Sequence, residues 1–353
     1  MKNNDLKFNW PHVGNEHIID FLSKSIINNQ VASAYIFSGP DNLGKTRIAK
    51  YFAKSLLCDN LNASNSELPC AECPSCRQFN LSQNLSASNQ DPAIIHSDYY
   101  FINRKRDKKN ISIDDIRDFI RSLGLSPFFN SYKIGVIKHA ESLSLEAANG
   151  LLKTLEEPKD KVVIILITTN LEALPLTIRS RCQILNFHLV KPDIIYDYLL
   201  KDFGASRSQA KDLSKLSLGR PALAAKWLQN KESLNTYIER ADTFLNFFSQ
   251  DINERIDAYE KLIPSDIKGP EASKLTDRII DIWAALVRDE LLIESGHHDL
   301  VHYHFGAKPL GELKKILNIN KILEINKILS EARQFLRNNV SPKLALEYVA
   351  INI

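Results

Sequence analysis

A glycine-rich loop near the start of the chain constrains the fold more than any other sequence feature. Residues 39–46, GPDNLGKT, match the pattern G-x-x-x-x-G-K followed by Ser or Thr in full. The apolar run AYIF precedes the loop, and residues 46–58 after it carry apolar side chains at helical spacing. A strand, a glycine loop and a helix in this order predict an α/β domain in which amides at the helix N-terminus cradle a phosphate group.

The loop supplies four candidate cofactor-binding residues. Gly39 and Gly44 permit close approach of the backbone to a ligand, and Lys45 is expected to reach the outer phosphates of a nucleotide. The Thr46 hydroxyl is the expected ligand of a Mg²⁺ ion that accompanies the nucleotide. A structural glycine loop that holds no nucleotide is the alternative interpretation.

Further apolar runs indicate a parallel sheet. Residues 133–137, KIGVI, and 161–169, KVVIILITT, are typical of buried strands, and a helix is predicted between them at 144–158. A short strand is also predicted at 93–98. Strands that alternate with helices favour an α/β domain, which we expect to end near residue 187. The rest of the chain has a helical pattern, with three short helices up to residue 233 and a larger helical region over 234–353.

Length and charge place broader limits on the chain. Its 353 residues are too many for one compact core, so the length predicts two or three domains. Its formal net charge of +3 does not by itself argue for nucleic-acid binding. The basic run at 104–110, RKRDKKN, could touch DNA phosphates, although such runs are usually solvated loops. The sequence has no run of the roughly 18–20 consecutive apolar residues that a bilayer span needs, and it has no apolar signal segment. We therefore expect a cytoplasmic protein without a membrane partner.

Four of the five cysteines form a cluster that indicates a metal site. Cys58, Cys70, Cys73 and Cys76 could present four thiolates, a ligand set that closes the tetrahedral shell of a structural Zn²⁺ ion. An iron–sulfur cluster uses the same ligand type, and a disulfide with free thiols is a further alternative. Cys182 stands apart in the sequence and is expected to be a small buried residue.

The order of four motifs resembles a known family. With the phosphate loop and the cysteines, the segments AANGLLKTLEEP (147–158) and LPLTIRSRCQIL (174–185) resemble the AAA+ clamp-loader subunits of bacterial DNA polymerase III, the gamma/tau and delta-prime subunits. The resemblance implies three domains. These are a RecA-like α/β AAA+ domain over 1–187 with a zinc module at 58–76, a small helical lid over 188–233, and an all-α collar over 234–353 that assembles the complex.

The same resemblance implies roles for several residues. Arg181, in the segment SRC, is expected to project into the ATP site of a neighbouring subunit, where its guanidinium would stabilise charge on the transferring phosphoryl group. A surface arginine paired with an acidic neighbour is the alternative. Arg220 corresponds to a lid arginine near the phosphates, and Thr169 and Asn170 correspond to a polar sensor of the γ-phosphate. The implied cofactors are structural Zn²⁺ and, as a second candidate, ATP with Mg²⁺.

The end of the run KIGVI distinguishes two kinds of subunit within this family. A motor subunit needs a pair of carboxylates there to hold Mg²⁺ and orient water, whereas this chain has Lys138 and His139. Glu141 lies beyond the strand end and would need a rearranged loop to replace them. Glu156 and Glu157 are interpreted as structural or surface residues. The sequence therefore favours a delta-prime-type stator that donates Arg181.

The stator interpretation implies a set of partners. They are the gamma/tau and delta subunits, the sliding clamp, and primed DNA bound through the assembled complex. A gamma/tau-type motor is the main alternative. Two further alternatives are an unrelated P-loop nucleotide hydrolase and a zinc-dependent DNA-binding protein.

Overall fold

A computed structural model describes residues 6–61, 63, 67–85, 96–104, 108, 110–128, 132–264, 266–303 and 318–353. The chain forms two compact units that meet in sequence between Lys191 and Pro192. The first unit is an α/β domain and the second is helical in its described part, which confirms the predicted parallel α/β core and helical C-terminal region. The separation of the second unit into a lid and a collar at residue 233 stays a prediction.

The first unit is built on a five-stranded parallel sheet with the strand order β4-β5-β6-β2-β7. A second, two-stranded parallel sheet pairs β1 with β3. The strands are β1 Lys7–Phe8, β2 Ala34–Ser38, β3 Glu67–Leu68, β4 Tyr99–Asn103, β5 Lys133–Lys138, β6 Val162–Thr168 and β7 Gln183–Asn186. The helices of this unit are α1 Glu16–Ile27, α2 Lys45–Leu56, α3 Pro74–Leu85, α4 Ile113–Leu123, α5 Leu145–Glu156 and α6 Leu176–Arg179.

Strand β2 is the fourth of the five strands and lies between β6 and the edge strand β7. Its side chains alternate between two apolar clusters. Tyr35 and Phe37 pack with Phe52 of α2 on one face, whereas Ile36 packs with Leu151 of α5 on the other. Both faces of the sheet are thus covered by helices, which explains the continuous apolar character of the strand sequences.

Two strands differ from the sequence prediction. The strand predicted at 93–98 starts later, at Tyr99, and residues 93–95 lie outside the described residues. Strand β7 was not predicted, because only two of its four residues are apolar and they give no continuous apolar run. At Gly135 of β5 a Cβ atom would lie 2.3 Å from the ring of Phe119, so the glycine allows α4 to pack closely on the sheet.

A buried ion pair joins the start of β5 to the residue that precedes β4. The Nζ atom of Lys133 lies 3.6 Å from Oδ1 of Asp98, and the two side chains are 3% and 0% exposed. Lys133 also donates a hydrogen bond to the Ser122 carbonyl at 3.1 Å, and Asp98 accepts one from the Phe128 amide at 2.9 Å. The hydrogen bonds compensate part of the cost of removing two charges from water.

We expect Lys133→Met to lower the free energy of unfolding by about 3–5 kcal/mol, because it leaves the buried Asp98 carboxylate without its cation. Urea denaturation of the full chain measures the change. Arg117→Met is the matched control, since Arg117 and Asp114 form an ion pair at 3.0 Å with side chains that are 67% and 80% exposed. Its expected effect is below about 0.5 kcal/mol. Equal effects of the two substitutions would contradict the prediction.

The second unit contains helices α7 to α14. Its helices are α7 Pro192–Phe203, α8 Arg207–Leu216, α9 Pro221–Gln229, α10 Lys231–Phe247, α11 Ile252–Glu260, α12 Gly269–Glu294, α13 Ile319–Arg337 and α14 Pro342–Asn352. Trp283 of α12 is fully buried and stacks on Phe244 of α10, with ring centroids 5.2 Å apart. Its indole nitrogen donates a hydrogen bond to the Arg240 carbonyl at 2.9 Å. Among the described residues, no helix has the length and apolar character needed to cross a membrane.

Candidate functional site

The phosphate loop lies at the carboxyl end of β2 and leads directly into α2. Gly44 is the N-cap of α2 with φ 86°, a left-handed conformation that favours glycine. Gly39 has φ 139°, and a Cβ atom there would lie 2.4 Å from the Phe187 carbonyl oxygen. The two glycines are therefore required for different reasons, Gly44 by the turn into the helix and Gly39 by the close approach of the chain after β7.

Lys45 is buried inside this loop, with 5% of the residue exposed. Its ammonium donates hydrogen bonds to the Gly39 carbonyl and, at 2.6 Å, to the Pro40 carbonyl. The first amides of α2 have no intrahelical acceptors, so the helix start adds a partial positive charge beside this ammonium. The loop thus brings together the four predicted residues Gly39, Gly44, Lys45 and Thr46, and a buried cation at a helix N-terminus fits a phosphate group.

Lys138 ends strand β5 at the same edge of the sheet. It lies opposite Ile167 of β6, while the next residue of β6, Thr168, lies opposite Ser38 of β2 just before the loop. Its ammonium is half-buried and makes no hydrogen bond or ion pair with any residue that the structure describes. A protonated amine cannot ligate a cation. The residues at the end of β5 therefore do not fit the Mg²⁺ ion that a hydrolysing P-loop site holds.

Glu141 contacts the residue that follows strand β6. His139 adopts a left-handed conformation with φ 58° and begins the short turn Ala140–Ser142, which directs Glu141 back towards β6. The Glu141 carboxylate accepts hydrogen bonds from the Thr169 hydroxyl at 3.1 Å and the Thr169 amide at 3.4 Å, and lies 3.3 Å from Nδ1 of His139. Whether Glu141 could replace the missing Mg²⁺ carboxylates, which the sequence predicts only with a rearranged loop, stays untested.

These contacts set the charge of Glu141. Burial alone favours the neutral acid, but the hydrogen bond with His139 and a hydroxyl of the β6 strand end outweigh it and lower the pKa of Glu141 to about 2. The carboxylate is therefore ionised at neutral pH and already holds Thr169, the predicted phosphate sensor. Asn170 caps the turn at Leu171–Ala173, where its side-chain oxygen accepts a hydrogen bond from the Glu172 amide at 3.1 Å.

Arg181 lies in the turn after α6, on the surface of the first unit. Its Nη2 atom is 2.6 Å from Oε1 of Glu156, and its Nη1 atom donates to the Thr177 carbonyl at 2.8 Å. The side chains of Arg181 and Glu156 are 34% and 47% exposed. In the isolated chain Arg181 thus pairs with Glu156 of the segment LEEP. From the sequence, Glu156 is interpreted as a structural or surface residue.

The predicted lid arginine, Arg220, lies in the second unit as the N-cap of α9. Its expected position beside the phosphates of the first unit stays a prediction. Of the basic run at 104–110, the structure describes Arg104, Lys108 and residue 110. The others lie outside the described residues, and the expected DNA contact stays untested.

The four clustered cysteines form a candidate metal centre at the end of α2 and the start of α3. The sulfur atoms of Cys58, Cys70, Cys73 and Cys76 all lie within 4.8 Å of one another, and Cys58 and Cys73 are 4.0 Å apart. Sulfur ligands of a tetrahedral Zn²⁺ are separated by about 3.8 Å, given Zn–S bonds of about 2.3 Å. The residues fit a Cys₄ ion site.

Two further residues near these segments have other roles. His96 is buried outside the cysteine cluster, where its Nε2 atom lies 3.0 Å from the Ser75 hydroxyl and its Nδ1 atom accepts a hydrogen bond from the Asp98 amide. Burial lowers the pKa of His96 and favours the neutral ring. Burial also raises the pKa of Cys182 to about 12, so its thiol is protonated at neutral pH and does not act as a nucleophile.

Comparison with known proteins identifies the family. The profile described as "DNA polymerase III, delta subunit" matches residues 14–191, half of the chain. The chain belongs to this family. It is 33% identical over 200 residues to DNA polymerase III subunit tau of Bacillus subtilis, a match that covers 57% of this chain and 32% of that protein. It is 32% identical over 182 residues to subunit tau of Escherichia coli, covering 52% and 25% of the two chains.

The matches to delta, tau and gamma subunits agree with the resemblance to the DNA polymerase III clamp-loader family. This family member spans about a third or less of the tau subunits that it matches. Among solved structures, a DNA polymerase III gamma subunit-related protein from Thermotoga maritima has a TM-score of 0.45 at 18% identity and covers 95% of this chain and 97% of its own. The Thermotoga maritima RuvB Holliday junction branch migration motor has a TM-score of 0.41 at 17% identity, covering 77% of both chains.

Two acidic residues of this family member make contacts that their positions in the sequence did not predict. Glu141 holds the strand end of β6, and Glu156 binds Arg181. The spacing of Glu156 gave no signal, because it lies 25 residues from Arg181 and the two meet only when α5 and α6 pack together. A signal for Glu141 existed in its position three residues after Lys138, since short turns often follow parallel strands.

Proposed function

We propose that this chain is a delta-prime-type stator of the DNA polymerase III clamp loader. It does not turn over ATP itself, and it donates Arg181 to the ATP site of a neighbouring gamma/tau-type subunit. The observation that carries the proposal is the end of β5, where Lys138 occupies the position at which a motor subunit needs a carboxylate.

The surrounding side chains support this assignment. The carboxylate nearest to Lys138 in the sequence, that of Glu141, is engaged by Thr169 and His139. Because both of its oxygens already accept hydrogen bonds from Thr169, ligation of a metal ion by Glu141 would require some of these bonds to be broken. Glu141 contacts only the Nδ1 atom of His139, and without a carboxylate that holds Mg²⁺ the ring has no metal-held water to activate.

Arg181 has the chemistry that a neighbouring active site requires. Its guanidinium is planar and permanently charged, and it is partly exposed in the turn between α6 and β7. A guanidinium placed against the transferring phosphoryl group stabilises charge in the transition state of hydrolysis. In this role the chain supplies one side chain to the reaction, while the neighbouring subunit supplies the nucleotide, the metal and the water.

The remaining parts of the chain have assembly roles in this proposal. Cys58, Cys70, Cys73 and Cys76 hold a structural Zn²⁺, residues 188–233 form the lid with Arg220, and residues 234–353 form the collar. The proposed partners are the gamma/tau and delta subunits, with the sliding clamp and primed DNA as substrates of the assembled complex. The names of the related tau and gamma proteins support membership of such a complex.

A gamma/tau-type motor is the second candidate, and the identity of 33% to a tau subunit favours it. The two candidates differ in the role of the phosphate loop. In a motor, Lys45 acts on the nucleotide during every cycle, whereas a stator needs the loop at most for binding.

We expect the isolated full chain to show no Mg-ATP turnover above background. A loader reconstituted with Lys45→Ala should keep its clamp-loading rate within about twofold of wild type, because Lys45 reaches no phosphate that is hydrolysed. The measurement is ATP hydrolysis and clamp loading on primed DNA, after confirming that the variant assembles normally. A large loss of loading with Lys45→Ala, or robust turnover by the chain alone, would indicate the motor instead.

A further inference from the structure

Two lysines of this chain lie on the elements that surround Mg²⁺ in a hydrolysing P-loop site, the helix after the loop and the neighbouring strand end. In such sites a Ser or Thr hydroxyl of the loop and a carboxylate from a neighbouring strand hold the ion. Here the loop supplies Thr46, but the neighbouring strand end supplies Lys138. The donor set is therefore unsuited to a divalent cation, and a second lysine increases the mismatch.

The second lysine is Lys50 on α2. Thr46 and Lys50 are four residues apart in the helix, so they lie on the same face, and long helical side chains lean towards the helix N-terminus. On this face of α2, Lys50 lies about one turn further along the helix than Thr46. Helix α2 also packs against β5, the strand that ends in Lys138, and against β6, the strand beside it.

Both lysines are half-buried, and the elements that carry them, α2 and β5, pack against each other. Burial lowers the pKa of Lys50, and the charge of Lys138 lowers it further. The ammonium groups of Lys50 and Lys138 make no hydrogen bond or ion pair within the described part of the chain, so both are available to an anion. Their two positive charges equal the charge of one Mg²⁺ ion.

We infer that the phosphate loop binds a nucleoside polyphosphate without a divalent cation, and that Lys50 and Lys138 supply the positive charge that Mg²⁺ supplies elsewhere. The inference rests on one part of the proposed function, the phosphate loop as a site for phosphate groups. It does not depend on the donation of Arg181. An anion bound in this way has no metal-held water beside it. The site would hold the ligand as a structural element and leave it intact.

The test is calorimetric titration of the full chain with ATP, once in buffer freed of divalent cations by a chelating resin and once with added Mg²⁺. A soluble chelator is avoided because it could strip a metal from the cysteine cluster. We expect the wild type to bind at least as tightly without Mg²⁺ as with it. Lys138→Met should weaken binding in metal-free buffer by about tenfold or more, since each charge-assisted contact contributes that order of affinity.

Two further variants sharpen the result. Lys138→Asp, which restores a carboxylate at the strand end, should bind ATP more tightly with Mg²⁺ than without it. Lys24→Met is the matched control, because Lys24 is exposed in the last turn of α1, and it should leave both titrations unchanged. Tighter binding by the wild type with Mg²⁺ would overturn the inference, as would the absence of ATP binding in both buffers. The latter result would leave the donation of Arg181 standing, whereas Mg²⁺-dependent binding with turnover would overturn both proposals.

Discussion

Replacing Arg181 by alanine is expected to reduce ATP-driven clamp loading by the reconstituted complex by about 10³-fold or more, the effect typical of losing an arginine finger. The guanidinium would act only in the transition state of a neighbouring subunit, so the loss should fall on turnover and spare nucleotide binding. Single-turnover ATP hydrolysis by the loader on primed DNA, with nucleotide affinity measured separately, checks both parts of this expectation.

Arg179→Ala provides a matched control within the same turn. Arg179 is also an arginine of the segment after Pro175, but it pairs with Glu172 at 2.7 Å and only 21% of its side chain is exposed. We expect a loader with Arg179→Ala to keep its turnover within a few fold. If the two alanine variants lose activity equally, the segment has a structural role and the proposed donation of Arg181 fails.

The second large effect is expected at the cysteine cluster. Cys76→Ser should remove the bound metal and lower the free energy of unfolding of the first unit by at least about 3 kcal/mol, since a structural zinc site contributes binding energy directly to folding. For a unit of this size the melting temperature would fall by about 6–12 °C. The effect should extend beyond the loop, because Cys58 and Cys76 belong to the same apolar cluster as Phe52 and Phe79.

Metal analysis of the purified protein measures the first part of this prediction, and thermal unfolding measures the second. We expect about one zinc per chain in the wild type and in Cys182→Ser, the control cysteine, which lies outside the cluster and is half-buried. Iron in place of zinc would support an iron–sulfur cluster. Wild-type protein without any bound metal would rule out the metal centre.

The phosphate loop and the sheet could be predicted because their signals are local. A strand, a glycine loop and a helix follow one another within residues 34–56, and the buried strands β5 and β6 are continuous apolar runs. The family resemblance added the order of the remaining motifs. Strand β7 escaped prediction because only four residues form it and two of them are polar.

The parts of the site that could not be predicted depend on tertiary contacts. The position of Glu141 depends on a left-handed residue, His139, and a non-glycine residue in that conformation has no clear sequence signal. The bond of Arg181 to Glu156 depends on how α5 and α6 pack, and the approach of Lys50 to Lys138 depends on how α2 lies on the sheet. Each of these contacts joins residues that are separate in sequence.

The ion pair between Arg181 and Glu156 has a consequence for the timing of assembly. Ion pairs with this much exposure are worth about 0.2–1 kcal/mol, so at equilibrium roughly one chain in six or more has its guanidinium detached from Glu156. Exposed side chains change rotamer within about nanoseconds, far faster than two subunits meet and dock. A neighbouring subunit that approaches this surface would therefore find the detached guanidinium already populated, and the rate of docking alone would determine when the arginine engages.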